Sequence, residues 1–302
     1  MNSNIDHPVL ISIIVPTYNR ATIIHRAVNS IKEQIFKQWE CIIVDDHSTD
    51  NTDEVIAELT KGDSRFSYIK NTRKKGAPGA RNTGILSSVG NYIVLFDSDN
   101  IMHPEFLKKV YSKLKSDAAN ICGSFSAVIN ESSGKKISSF TWEGYGSIHK
   151  ELLMGKCYFD NSSTLIEKQK LFDIGLLDED CPSFQEWDTH IRLSAISTYT
   201  TLKEELVDYY RGGDDTISKS VERAVKGRLY ILSKFNGEFK SEIPFFYFIH
   251  CLGVYIPIKE RLDKNKYTYY YNIYLGIAKK HHYVVRGLYM LRKLKRLLLK
   301  RG

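Results

Sequence analysis

Short apolar runs of strand length alternate with amphipathic runs of helix length over roughly the first 125 residues of this 302-residue chain, and that alternation limits the fold more than any other feature. Residues 11–15, 40–44, 66–69 and 92–96 read as strands. Residues 21–34, 52–59, 81–88 and 104–114 read as helices, the last with Pro104 in the favoured first position. Successive strands separated by a helix return to the sheet in the same direction, because the helix supplies the crossover. The expected fold class is therefore α/β, a Rossmann-like, mostly parallel sheet flanked by helices. Residues 121–129, 136–140 and 162–166 read as further strands, 185–196 as a helix and 200–210 as extended. A boundary is expected near residue 215. Beyond it the chain turns aromatic, basic and mainly helical in pattern.

Several of the predicted strands end on polar residues that suit ligand chemistry. Thr17-Tyr18-Asn19 follows the first, Val44-Asp45-Asp46-His47-Ser48-Thr49-Asp50 closes the second, and Asp97-Ser98-Asp99 follows the run 92–96. In an open parallel sheet ligands bind outside the carboxyl ends of the strands, so these segments should share one rim. Two carboxylates separated by one small residue make a compact oxygen-rich site for a hard divalent cation, Mn2+ or Mg2+. The chain reads as an enzyme that handles a nucleotide diphosphate. Plainer roles exist for the same residues: Asp46, His47 and Ser48 also suit a turn that caps the next helix. No GxxxxGK[ST] or GxGxxG stretch occurs, so kinase and dehydrogenase readings lack support.

Four ordered segments, residues 11–20, 44–50, Gly79-Ala80-Arg81-Asn82-Thr83-Gly84 and Asp97-Ser98-Asp99-Asn100, resemble the signature of family 2 glycosyltransferases of the GT-A fold. The resemblance covers about residues 9–215. It implies inverting transfer of a sugar from a nucleotide diphosphate donor, most simply a UDP-sugar, in a bacterial polysaccharide or lipopolysaccharide pathway. It further implies that Asp46 accepts a hydrogen bond from the nucleobase and that Pro16, Thr17 and Tyr18 line the base pocket. Asp99 would ligate the metal. Asp97 would hold the ribose or reach the metal through water, with Ser98 between them at the donor. Arg81, near a helix start on the same rim, is well placed for phosphate; the plain alternative for Arg81 and Asn82 is helix surface, and for Gly76-Ala77-Pro78-Gly79 a loop. Arg211 with Asp214-Asp215-Thr216-Ile217-Ser218 resembles the loop that closes over the donor phosphates. His103 could ligate metal, but a helix start explains it as well.

An inverting displacement needs a base for the acceptor hydroxyl's proton. Members of the family usually offer Glu-Asp, with an arginine six positions after the aspartate. Here Glu186 stands six before Arg192, so it takes the base position, and Gln185 replaces the preceding acid. Asp188 is the fallback. An amphipathic helix with solvated acids is the alternative, and Trp187 and His190 read more readily as packing residues than as acceptor contacts.

The charge of +8 is unevenly spread. Residues 1–215 hold 24 Lys and Arg against 30 Asp and Glu, a net of −6; residues 216–302 hold 19 against 5, a net of +14. After Asp263 there is no acidic residue. Val284, Leu288, Leu291, Leu294 and Leu298 share one helical face, while Arg286, Arg292, Lys293, Arg296 and Lys300 lie mostly off it. That pattern suits a helix lying on an anionic membrane surface, or one packed against the catalytic domain with a solvated basic face. The apolar stretch 243–258 is short for a bilayer span. Five scattered cysteines without a CxxC pair suggest a reducing cytosol, and the N-terminus reads as a strand rather than a signal peptide.

These features lead to one expected organisation. Residues 1–215 form a GT-A catalytic domain, with the nucleotide in about 1–120 and the acceptor in about 121–215, and 216–302 form a helical basic region. The enzyme would be a hexosyl- or N-acetylhexosaminyltransferase at the cytoplasmic membrane face, acting on a glycan or lipid-linked acceptor, with no nucleic acid partner. Two other readings stand beside it: a nucleotidyltransferase making a nucleotide sugar, against which Pro16-Thr17-Tyr18-Asn19-Arg20 stands where a Gly-rich loop is usual, and a basic nucleic-acid-binding protein using the tail.

Overall fold

The structure is a computed structural model that describes residues 9–212 and 220–298, with the side chains of Asn265, Lys280 and 294–298 outside the description. The described residues fall into two compact units. The first is drawn from Met1–Leu152, Cys157–Glu179 and Thr189–Asp214, the second from Leu153–Lys156, Asp180–Asp188 and Asp215–Gly302. Two short pieces of the expected catalytic region, 153–156 and 180–188, thus cluster with the C-terminal helices.

The first unit is built on one sheet. Strands β1 (Ile11–Thr17), β2 (Trp39–Asp45), β3 (Phe66–Lys70) and β4 (Tyr92–Leu95) form its parallel half in the order β3-β2-β1-β4. Helices α1 (Ile24–Lys32), α2 (Thr52–Thr60) and α3 (Ala77–Ser87) make the crossovers. After the two-residue β5 (Ile101–Met102) and α4 (Phe106–Ser116) come β6 (Ile121–Asn130), β7 (Lys136–Phe140) and the short α5 (His149–Met154). Then follow β8 (Thr164–Glu167), α6 (Lys168–Asp173), α7 (Gln185–Ser194) and β9 (Tyr199–Arg211). This second half is mixed: β8 lies antiparallel between β4 and β6, while β9 runs parallel to β6 and antiparallel to β5. The α/β expectation holds.

The core follows from the strand patterns. Ile11, Ile13, Val15, Cys41, Ile43, Val94 and Phe96 are fully buried and pack with the apolar faces of α1 and α4. Strands of a sheet covered on both faces read as near-continuous apolar runs, which is how β1 and β2 appear. Helix α3 lies against β1 and β2 so closely that a Cβ on Gly84 would sit 2.3 Å from Ile14 Cγ2 and 3.0 Å from Val44 Cγ2. Gly84→Ala gains about 1 kcal/mol of helix propensity but incurs about 1–3 kcal/mol of overpacking against two β-branched side chains. We expect a net loss, read as a lower urea midpoint; a raised midpoint would mean that the approach is looser than the coordinates show.

The second unit is helical. It holds α8 (Val221–Lys234), α9 (Asn236–Glu242), α10 (Pro244–Arg261), α11 (Lys264–Ala278) and α12 (His282–Leu298). The apolar stretch 243–258 became α10, which buries Tyr247, Cys251, Val254, Tyr255 and Ile258. Among the described residues no helix is long and apolar enough to cross a membrane. All five cysteines are free and buried.

Candidate active site

The loops after β1 and β2 are stitched into one rim. Asn19 N–H donates to Ser48 Oγ (2.9 Å), Thr49 N–H donates to Asn19 Oδ1 (2.8 Å), and Arg20 N–H donates to Thr52 Oγ1 (2.9 Å). Asn19 and His47 sit at φ +51° and +67°, the left-handed region that non-glycine residues seldom adopt and that clusters at functional sites.

The two aspartates at the end of β2 have separate jobs. Asp45 is fully buried and accepts from Ser48 N (3.0 Å), Ser48 Oγ (2.5 Å), Tyr68 OH (2.8 Å) and Lys70 Nζ. Burial pulls its carboxyl pKa up, but these donors, Lys70 first, outweigh it and hold the pKa below the usual value. Its capacity is spent on the loop. Asp46 is held at both oxygens: Oδ1 accepts from Asn71 Nδ2 (2.6 Å) and Oδ2 from Gly76 N (2.8 Å). Each oxygen keeps a lone pair for a further donor. Asp46 does not cap α2: the N-cap residue Asn51 makes no side-chain cap bond, and the Thr52 N–H at the helix start donates to Asp50 Oδ1 (3.2 Å).

Around this carboxylate, Pro16 is half-buried, and Thr17 is buried with its Oγ1 lacking a hydrogen-bond partner. Tyr18 is exposed, with Lys75 Nζ 4.6 Å from its ring centroid. Asn71 is absent from the sequence-based candidates, although it follows directly on the end of β3 and the strand-end rule reaches it; Gly76 enters there only as the first residue of a possible loop. Gly76 holds φ +128°, which only glycine adopts readily, and so aims its N–H at Asp46.

Asp97, Ser98 and Asp99 follow β4 as expected. Arg81 is buried, and its Nη2 donates to Asp97 Oδ1 (2.6 Å). Ser162, in the 3-10 turn Asn161–Ser163, accepts from Asp97 N (3.1 Å) and from Asn100 Nδ2 (2.9 Å), so one hydroxyl fixes both ends of the triplet. Ser98 is buried. Burial, and then the charge of Asp97, raise the Asp99 pKa, with Arg20 and Arg26 opposing. Two carboxylates that repel one another in a half-buried oxygen-only pair are relieved by a divalent cation, so the residues present fit Mn2+ or Mg2+. Among the described residues no third acidic, histidine or cysteine ligand completes a cluster. A site that takes its remaining ligands from water and phosphate needs none.

Several sequence expectations are corrected here. Gly76-Ala77-Pro78-Gly79 is not a loop: α3 begins at Ala77, with Pro78 in its first turn. Arg81 and Asn82 are not helix surface. Asn82 is buried and grips Leu177 through its N–H (3.0 Å) and its carbonyl (2.9 Å), and also donates to Glu179 (2.8 Å). His103 bonds Asp208 of β9 (3.1 Å), which raises its pKa against burial, and its carbonyl accepts from Phe106 N–H at the start of α4 (3.0 Å). Arg211 ends β9 with its guanidinium 5.8 Å from the Phe140 centroid; Asp214, Asp215, Thr216, Ile217 and Ser218 lie outside the described residues.

The base candidates open α7, whose first turn belongs to the second unit and the rest to the first. Asp188 is fully buried and ion-paired with Lys234 Nζ (2.6 Å), whereas Glu186 is half-buried. Phe184, just before the helix, holds φ +61°. Helix α8 secures that turn: Ser183 Oγ donates to Arg223 O (3.0 Å), Arg228 lies 5.2 Å from the Phe184 centroid, and a Cβ on Gly227 would come within 2.0 Å of Ser183 Oγ. Trp187 packs with Phe184, Phe239 and His250. His190 stacks on Phe159 (5.1 Å) and bonds Tyr199 OH (3.1 Å), and burial lowers its pKa to about 3. Both are packing residues. Arg192 Nη1 donates to the carbonyls of Ile174 (2.8 Å) and Leu176 (2.7 Å).

This geometry agrees with comparison to known proteins. Residues 12–179 match the family described as "Glycosyl transferase family 2". The chain belongs to that family. A curated relative from Escherichia coli, UDP-Glc:alpha-D-GlcNAc-diphosphoundecaprenol beta-1,3-glucosyltransferase WfgD, is 35% identical over 124 residues, 41% of this chain and 48% of that one. The match thus spans about half the relative's length. Among solved structures, S. aureus TarS residues 1–349 in complex with UDP-GlcNAc superimposes with a TM-score of 0.59 at 16% identity, covering 88% of this chain and 73% of that one. The mannosyltransferase PcManGT from Pyrobaculum calidifontis, in complex with GDP-Man and Mn2+, gives 0.60 at 16% identity, covering 84% and 74%. Both likenesses speak for the family fold.

Proposed function

We propose that this family 2 protein is an inverting glycosyltransferase that moves a hexosyl or N-acetylhexosaminyl group from a UDP-sugar to a hydroxyl of a glycan or lipid-linked acceptor. One observation carries the reading: the Asp46 cradle and the Asp97/Asp99 pair follow parallel strands of one sheet, β2 and β4, where a nucleotide diphosphate binds. In this reading residues 1–215 perform catalysis, the nucleotide in about 1–120 and the acceptor in about 121–215. Asp46 accepts from the nucleobase beside Pro16, Thr17 and Tyr18. Arg81 orients Asp97 and sets a positive charge under the donor phosphates, with Ser98 between the acids and Arg211 at the phosphate loop. Asp99, with Asp97 nearby, holds Mn2+ or Mg2+, which when bound neutralises the growing charge on the diphosphate leaving group.

Glu186 is the base, and the fully buried, ion-paired Asp188 supports the turn. The acceptor oxygen forms its bond to the anomeric carbon on one face as the bond to the phosphate oxygen breaks on the other, and its proton passes to Glu186. Two likenesses support the donor and acceptor classes: WfgD is named for UDP-Glc and a diphosphoundecaprenol acceptor, and TarS holds UDP-GlcNAc. Release of UDP from a UDP-sugar, with inverted configuration in the glycoside formed, tests the reading; retention of configuration contradicts it.

In this reading the acceptor lies at the cytoplasmic membrane face, and the surface of α12 supports that place. The helix buries His282, Val285 and Tyr289 and packs on α10, while Tyr283, Val284, Met290 and Leu291 are exposed. The basic Arg286, Arg292 and Lys293 are exposed as well. An outward apolar face with flanking cations suits an anionic bilayer surface. The side chains of Leu294, Arg296, Leu298 and Lys300 lie outside the described residues. Val284→Glu with Leu291→Glu is expected to abolish co-sedimentation with anionic liposomes and leave the melting temperature unchanged. Undiminished binding would rule out this face.

A further inference from the structure

Beside the nucleotide rim, the first unit carries a cleft that the proposed chemistry has not used. Phe140, Trp142, Tyr158 and Phe159 line it together with Asp160 and Ser163. The lining rings fall into two packed groups, Trp142 with Phe159 and Phe140 with Tyr158 and Tyr209. Trp142 meets Phe159 edge-on at 4.2 Å, Phe140 lies 6.1 Å from Tyr158, and Phe140 lies 5.6 Å from Tyr209. Tyr158 is 47% exposed, so part of this aromatic surface faces solvent instead of closing a core. Trp142 is seated by a glycine: a Cβ on Gly144 would fall 1.7 Å from its Cη2. That glycine is fixed to β9, since its N–H donates to Thr201 Oγ1 (3.0 Å) and its carbonyl accepts from the same hydroxyl (3.2 Å).

The cleft adjoins the paired acids. Of its residues, Asp160 precedes and Ser163 closes the 3-10 turn whose Ser162 holds Asp97 and Asn100. Aromatic faces next to a carboxylate and a hydroxyl suit a pyranose: the negative π face attracts the ring's C–H edge, and the polar groups take its hydroxyls.

We propose that this cleft is a sugar subsite in which Trp142 and Tyr158 stack against one pyranose ring and Asp160 and Ser163 bind its hydroxyls. The proposal rests on the transferase reading. The same chemistry fits the donor's sugar or the acceptor's, and the test separates them. Three probes serve, each with Mn2+: UDP, UDP-GlcNAc and methyl β-D-glucopyranoside, the first two titrated by calorimetry and the last followed by saturation-transfer NMR. Trp142→Ala is expected to weaken one sugar-bearing probe about 3- to 10-fold and leave UDP unchanged. Gly144→Ala, which displaces the indole without removing it, should repeat the loss, as should the exposed Tyr158→Ala in smaller measure. Loss confined to UDP-GlcNAc assigns the cleft to the donor sugar, and loss confined to the glycoside assigns it to the acceptor. Unchanged binding of both sugar probes in folded Trp142→Ala and Gly144→Ala, or no sugar-dependent binding in a wild type that binds UDP, overturns the subsite alone. Failure of wild type to bind UDP or UDP-GlcNAc contradicts the transferase reading instead.

Discussion

Asp99→Asn is expected to abolish metal-dependent donor binding and to cut turnover by at least about 10²–10³-fold, because it removes a charged oxygen from a site with few protein ligands. The same change should not harm the metal-free fold. Burial and the neighbouring Asp97 hold the Asp99 pKa above its ordinary value. A raised carboxyl pKa means that the ionised form disfavours folding: the penalty is absent below the unfolded pKa and complete above the folded one. At neutral pH without metal, Asp99→Asn should therefore melt no lower than wild type, a common trade between function and stability. Activity of the variant equal to wild type, or wild-type activity that survives exhaustive chelation, would contradict the metal assignment. A lower melting temperature would contradict the electrostatic one.

Glu186→Gln should lower kcat by about 10²–10⁴-fold, since the amide keeps the shape but cannot take the acceptor proton. Donor affinity should barely move, because the base serves the acceptor. Asp188→Asn makes a different prediction. Asp188 is buried and paired with Lys234, so the variant removes the carboxylate charge of that buried pair, and its main effect should be lost stability. A severe kcat loss in Asp188→Asn with a mild one in Glu186→Gln would move the base by two positions. Small, equal effects in both would make the start of α7 structural.

The parallel half of the sheet was legible because β1, β2 and β4 announce themselves as apolar runs, and the rim was legible because polar residues follow each run directly. The mixed half was not. The placement of β8 between β4 and β6 is a non-local pairing that no local period encodes. Helix α3 starts one turn before its expected place: Gly76-Ala77-Pro78-Gly79 is rich in loop formers, yet proline in a first turn equally marks a helix start. At the site, the triplet Asp97-Ser98-Asp99 and Asp46 could be chosen by position. What holds them could not: Ser162 stands far along the chain from Asp97, and Asn71 reaches Asp46 only once β3 lies beside β2. Asp188 and Glu186 look alike in sequence. Only burial against Lys234 separates the structural acid from the candidate base.

The central claim is a metal-assisted nucleotide diphosphate site at the carboxyl ends of β2 and β4, and thermal unfolding with nucleotides tests it most directly. A ligand that binds only the native state raises the melting temperature by mass action, about 2.7 kcal/mol at a hundredfold excess over its Kd. UDP with Mn2+ should raise the melting temperature of wild type clearly, UDP alone much less, and UDP with Mn2+ should leave Asp99→Asn unshifted. A wild type that melts at the same temperature with UDP, GDP or CMP and their sugars, with and without Mn2+, would contradict the account.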